Sequence, residues 1–159
     1  VITTNDLKEM VIMTHLKEGM LETLIRITDV LTFSEGDFIF KQGDIADRFY
    51  MVKRGKVLLE QTMTDKITVS VGSIKPGFAF GWSTMIEEGY YTTNAVCAEP
   101  CDILSMRGNK LRDLCEKDPV MGFLLSQRLL VILKKRYDYR TEQFIKAIKH
   151  HPDMKDLFY

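Results

Sequence analysis

Apolar positions in the opening segment fall at helical spacing: Leu7, Met10 and Val11, then Leu16, Met20, Leu21, Leu24 and Ile25 recur at steps of three and four, which places them on one face of a helix. Thr4 or Asn5 is suited to cap the first helix. Gly19 weakens the second, because Gly costs about 1 kcal/mol against Ala inside a helix. From Asp29 the pattern shortens to runs of Val, Ile, Phe and Thr, broken at Glu35-Gly36-Asp37, Gln42-Gly43-Asp44, Arg54-Gly55 and Pro76-Gly77. Runs of that kind between Gly-bearing turns predict an antiparallel barrel or sandwich. The strands expected are Val30–Phe33, Phe38–Phe40, Phe49–Lys53, Lys56–Gln61, Ile67–Val71, Tyr91–Ala98 and Asp102–Met106. After Gly108 the helical period returns. Asn109 is expected to cap Lys110–Lys117, and Asp118-Pro119 to start a long helix running to about Lys149, with Pro152 beyond it.

Composition narrows the class. Twenty-two Lys+Arg balance twenty-two Asp+Glu among 159 residues, and 45% of the chain is hydrophobic, as in an ordinary globular domain that is neither polybasic nor an acidic tail. A chain of this length buries roughly 70% of its unfolded surface and needs no disulfide staples. Cys97, Cys101 and Cys115 form no CxxC pair, which fits a reducing, cytoplasmic setting. The most apolar stretch, Val120 to Leu133, is interrupted by Gln127 and Arg128, well short of the ~20 residues of a membrane span. The chain opens on Val1 rather than Met, so whether the natural protein extends at either end stays open.

The segment Phe33-Ser34-Glu35-Gly36-Asp37-Phe38-Ile39-Phe40-Lys41-Gln42-Gly43-Asp44, followed by Phe49-Tyr50-Met51-Val52-Lys53-Arg54-Gly55-Lys56-Val57, resembles the cyclic nucleotide-binding domain family. The resemblance implies an α+β, mainly β fold: an eight-stranded jelly-roll β-barrel with N-terminal helices and a long C-terminal helix. It implies one domain over residues 1–159, with N-terminal helices at 1–28, the barrel and its ligand cassette at 29–107, C-terminal helices at 109–149 and a tail at 150–159. It further implies a regulatory binding module in signal transduction rather than an enzyme.

In that family a Phe-Gly-Glu element opens the cassette, and an Arg-Ser/Thr-Ala element follows about ten residues later. The Glu holds the ribose and the Arg pairs with the cyclic phosphate. The matching residues here are Phe80-Gly81-Trp82-Ser83-Thr84 and Thr93-Asn94-Ala95, with Thr92 beside them. Trp82 replaces the Glu and Thr93 the Arg, so the charge-assisted clamp is missing. Neither cyclic AMP nor cyclic GMP is expected to bind. The cassette instead offers Ser83, Thr84, Thr92, Thr93 and Asn94 as neutral hydrogen-bonding groups and Trp82 as a stacking face, for a small ligand of unknown identity. The alternative is that Trp82 fills the vacated pocket and the domain works without ligand.

Other chemistry is absent from the pattern. Glu87 and Glu88 are consecutive, so they do not converge on one reacting atom and read as a solvated loop. His15, His150 and His151 lack metal-ligand spacing, and the last two suit capping of a helix end. No metal or cofactor is expected. Cys97 and Cys101 flank the Glu99-Pro100 turn, as buried thiols or as a thiol switch.

The long helix carries more apolar surface than one contact needs. Leu130, Leu133, Tyr137 and Phe144 form a second stripe, and in related sensors this helix pairs with its copy, so a homodimer is expected there. The competing cover is the tail itself, with Met154, Leu157, Phe158 and Tyr159 folding back. Lys134, Lys135, Arg136 and Arg140 are interleaved with Asp138 and Glu142 and read as a solvated face, not a nucleic-acid site. Direct DNA binding by this chain alone is not expected, although it resembles the sensor part of transcription regulators that carry a separate DNA-binding domain.

Overall fold

Glycine turns cut the middle of the chain into eight strands: β1 Thr28–Phe33, β2 Phe38–Phe40, β3 Arg48–Arg54, β4 Val57–Thr64, β5 Ile67–Ile74, β6 Ala79–Phe80, β7 Asn94–Cys97 and β8 Cys101–Arg107. The structure, a computed structural model, describes residues 1–158. Its strands form two antiparallel four-stranded sheets, ordered β1-β8-β3-β6 and β2-β7-β4-β5. This is the expected jelly-roll arrangement, in two sheets rather than one closed barrel.

Two compact units make up the chain, Val1–Leu124 and Leu125–Tyr159. In the first, the register from Thr28↔Met106 to Phe33↔Cys101 joins β1 to β8, and β3 lies on the other side of β8. Side chains alternate along β3, and Phe49, Tyr50, Met51 and Val52 are all buried, so this strand is covered on both faces. Helices α1 (Thr4–Lys8) and α2 (Glu18–Ile25) contribute buried Leu7, Leu21 and Leu24. The N-terminal segment is tied to the sheets by Lys53 Nζ to Asp6 Oδ1 at 3.0 Å and by the Val11 amide donating to the Gly77 carbonyl at 2.8 Å.

The β3–β4 turn depends on Gly55. Its φ is +95°, and a Cβ there would lie 2.5 Å from the Pro100 carbonyl oxygen and 2.6 Å from Cys101 Sγ. Only glycine fits both the left-handed backbone and the close approach.

Several local expectations shift. The N-cap of α1 is Thr3, whose amide donates to the Asp6 carboxylate at 2.7 Å, rather than Thr4 or Asn5. Helix α3 spans Gly108–Lys117 and starts before Asn109, because the Gly108 amide donates to the Asp47 carbonyl at 2.8 Å; Asn109 Oδ1 instead accepts from the Lys110 amide at 2.8 Å. Strand β6 carries no alternating pattern in two residues and was not expected, and β7 begins at Asn94 rather than Tyr91. Asp118 does cap the long helix α4 (Pro119–Lys149), accepting from the Met121 amide at 3.1 Å.

In the second unit, Leu130, Tyr137 and Phe144 are 66%, 68% and 65% exposed. A short helix, α5 (Lys155–Phe158), ends the described chain. Leu157, one of the residues expected to cover the stripe, is itself exposed. Tyr159 and the Phe158 side chain lie outside the described residues.

Candidate functional site

The cassette starts where β6 ends, with Phe80 fully buried. Gly81 then turns the chain at φ +78°; a Cβ there would meet Tyr50 Cδ2 at 2.9 Å and the Arg48 carbonyl oxygen at 3.1 Å. One turn of 3-10 helix follows, Trp82–Met85, in which the Thr84 amide donates to the Gly81 carbonyl at 3.3 Å. The descending limb pairs with the β2–β3 loop: the Ala46 amide donates to the Gly89 carbonyl at 2.9 Å, the Gly43 amide to the Tyr91 carbonyl at 2.8 Å, and the Tyr91 amide to the Asp44 carbonyl at 2.9 Å.

Between the sheets the space is aromatic. Phe40 stacks on Tyr91 with centroids 3.7 Å apart, Tyr50 on Phe80 at 5.2 Å, and Phe40 and Phe80 meet at 6.0 Å. These four rings join Val52, Val57, Ala95, Cys97, Cys101 and Ile103 in one buried cluster. Trp82 lies elsewhere: its ring is 5.0 Å from Phe49, which alternates with Tyr50 on β3 and therefore faces the opposite side. The vacated position is thus not filled by Trp82.

The remaining predicted residues separate into different surroundings. Phe80 and Ala95 belong to the buried cluster. Asn94 sits in a polar triad at its edge: Asn94 Oδ1 accepts from the Gln42 amide at 2.8 Å, Asn94 Nδ2 donates to Thr62 Oγ1 at 3.4 Å, and Gln42 Oε1 accepts from the Thr62 amide at 3.0 Å. Ser83 and Thr93 are half-buried and Thr92 is exposed. Thr84 is fully buried and turned toward α3, where a Cβ on Gly108 would fall 1.9 Å from its hydroxyl.

Sequence reasoning left Phe40, Gln42, Tyr50, Thr62 and Tyr91 out of the site. Phe40, Gln42 and Tyr50 lie within the segment that carried the resemblance, and Tyr91 directly precedes the Thr92-Thr93-Asn94 run. The Tyr91 hydroxyl accepts from the Arg48 amide at 3.1 Å and donates to the Arg48 carbonyl at 2.6 Å. Burial, reinforced by the adjacent Tyr50, holds its phenol well above the usual range. Burial likewise raises Tyr50. Thr84 and Ser105 are the only fully buried polar or charged residues among those described, so no ionised side chain lies deep in the core.

The thiols of Cys97 and Cys101 are both buried, and Cys97 is pushed up to about 12, by burial first and then by the neighbouring Cys101. His150 Nδ1 lies 2.7 Å from the Lys146 carbonyl oxygen, the helix-end contact expected of it. Among the described residues, no three His, Cys, Asp or Glu side chains converge as metal ligands. No described helix is long and apolar enough to cross a membrane.

Residues 30–118 match the family model described as the cyclic nucleotide-binding domain. The chain is 25% identical to cGMP-dependent protein kinase, isozyme 1, of Drosophila melanogaster, over 96% of this chain and 21% of that protein. It is 36% identical to a cyclic nucleotide-gated cation channel polypeptide of the same organism, over 81% of this chain and 20% of that protein. The chain therefore spans about a fifth of the length of these two relatives. A cyclic nucleotide-binding domain from Methylobacillus flagellatus has a similar fold, with a TM-score of 0.81 at 16% identity over 91% of this chain and 83% of that one. The catabolite activator protein of Thermus thermophilus follows at 0.73 and 22%, over 87% of this chain and 64% of that one.

Proposed function

Because the chain belongs to the cyclic nucleotide-binding domain family, we propose that it is a non-catalytic regulatory module whose cassette takes a small ligand other than cyclic AMP or cyclic GMP. The observation that carries this reading is a built cassette without its charges. Gly81 makes the left-handed turn against Tyr50 and Arg48, while Trp82 and Thr93 stand where a carboxylate and a guanidinium would hold the sugar and phosphate. A cyclic phosphate brought here would lose hydration without gaining a bidentate cationic partner. Ser83, Thr93 and the Gln42–Asn94–Thr62 triad leave neutral donors and acceptors, which suit an uncharged polar ligand.

A second reading, a ligand-free interaction module, is favoured by the stacked Phe40, Tyr50, Phe80 and Tyr91 rings in the interior. Calorimetry tests the first. Wild type gives no heat with cyclic AMP or cyclic GMP at micromolar concentration, and Trp82→Glu with Thr93→Arg gains affinity for both. Tight binding of either nucleotide by the wild type refutes the proposal. A metabolite screen read by emission of the single tryptophan, Trp82, and by melting temperature separates ligand sensor from ligand-free module.

The module acts as a homodimer through α4. Leu130, Tyr137 and Phe144 recur every seven residues and stay exposed, with Leu133 between them 40% exposed, a spacing that forms a coiled-coil seam. It works in a reducing, cytoplasmic setting and touches DNA, if at all, through another domain or protein.

A further inference from the structure

A cavity of about 280 Å³ opens behind the cassette, on the side of Thr84 that faces α3. Three walls form it, all within the first unit. The β2–β3 loop gives Ile45 and Asp47, the descending limb of the cassette gives Ile86 and Glu88, and the start of α3 gives Arg107 and Arg112. Hydrogen bonds fix the walls to one another: the Ala46 amide to the Gly89 carbonyl at 2.9 Å, the Gly108 amide to the Asp47 carbonyl at 2.8 Å, and Arg112 Nη1 to the Thr84 carbonyl. The space is therefore held by the fold before anything enters it.

Its charges are not spent on each other. No ion pair links either arginine to either carboxylate among the described residues. Both cations stand at the N-terminal end of α3, which itself favours an anion. Ile45 and Ile86 line the same cavity while 69% and 68% exposed, an apolar lip beside four unpaired charges. Thr84, also in the lining, is fully buried with a hydroxyl that has no hydrogen-bond partner. The volume lies just under the ~300 Å³ at which sites for drug-sized molecules begin, so a nucleotide is too large.

We propose that this cavity binds a free amino acid with an apolar side chain. The α-carboxylate is held by Arg107 and Arg112, the α-ammonium by Asp47 and Glu88, and the side chain rests on Ile45 and Ile86. The site is separate from the ligand proposed for the cassette and stands without it. An occupant would bridge the cassette limb and α3.

The test titrates the 159-residue chain with L-leucine, N-acetyl-L-leucine and L-leucinamide at up to millimolar concentration, followed by amide chemical shifts. Leucine should bind saturably with shifts at Gly89, Gly108 and Asn109, and each derivative, lacking one charge, should bind about tenfold or more weakly. Glu88→Gly and Arg107→Ala should each weaken leucine at least tenfold at an unchanged melting temperature. Glu88 is at φ +57°, a conformation glycine adopts freely, so that variant keeps the fold even if the arginine variant does not. No saturable leucine binding, equal binding of N-acetyl-L-leucine, or undiminished binding by Glu88→Gly would each overturn the proposal.

Discussion

Replacing Tyr91 with Phe removes one oxygen from the interior while leaving the ring on Phe40. That oxygen serves both backbone groups of Arg48, accepting from the amide at 3.1 Å and donating to the carbonyl at 2.6 Å. A buried group left unmet costs about 1–3 kcal/mol. The carbonyl has a second lone pair and the amide has no second chance, so the donor dominates and the expected loss is about 2 kcal/mol. For a chain of this size that lowers the melting temperature by about 4–8 °C. A second signature lies at high pH. The folded Tyr91 titrates above its ordinary value of 10.0, so past that pH the unfolded chain releases a proton that the folded chain keeps. Stability is whole below pH 10 and falls as the pH rises, by up to ~1.4 kcal/mol per pH unit for this one proton. The variant's alkaline decline should be shallower by that amount, with the contribution of Tyr50 remaining. Urea unfolding followed by Trp82 fluorescence from pH 7 to 11.5 measures both. A loss under about 0.5 kcal/mol at neutral pH, or an unchanged alkaline slope, would refute the role given to this hydroxyl.

Gly55→Ala should cost about 3 kcal/mol or more in urea unfolding, since the new methyl meets backbone on Pro100 as well as Cys101 Sγ; a near-neutral effect would contradict the turn geometry. Light scattering should give twice the 18.4 kDa chain mass, and Leu133→Glu with Tyr137→Glu a folded monomer; a wild-type monomer at all concentrations removes the seam. With its thiol raised to about 12, Cys97 should resist a disulfide reagent at pH 8 until the protein unfolds, and prompt labelling of native protein would count against its burial.

The strand runs were legible because each glycine turn interrupts an apolar run, and Gly55 and Gly81 do occupy positions that no other residue fits. The start of β7 was not. Residues 91–93 have strand composition, yet the Tyr91 amide pairs with Asp44 and its hydroxyl with Arg48, contacts more than forty positions away that no local pattern encodes. The same holds for α3, whose first amide is met by a carbonyl from the β2–β3 loop, displacing Asn109 from the cap. At the cassette, the missing charges could be read from residue types alone. Which way Trp82 points could not, because Gly81 reverses the chain just before it and sends the indole to Phe49. The residues that fill the interior, Phe40, Tyr50 and Tyr91, are scattered over three segments and looked like ordinary strand aromatics.

In the first sheet β8 is laid between β1 and β3, and this has a consequence in time. Thr32 on β1 meets Asp102 on β8 across 70 residues. On a ribosome adding about 5–20 residues per second, β1 waits roughly 4–14 s for its partner to be synthesised. Meanwhile β4 and β5, adjacent in sequence, close their hairpin within microseconds. The growing chain therefore exposes the unmated edges of β1 and β3 until nearly all of the first unit has emerged. A nascent chain stalled before Cys101 should be protease-sensitive throughout that sheet, and one stalled well after Arg107 should be protected.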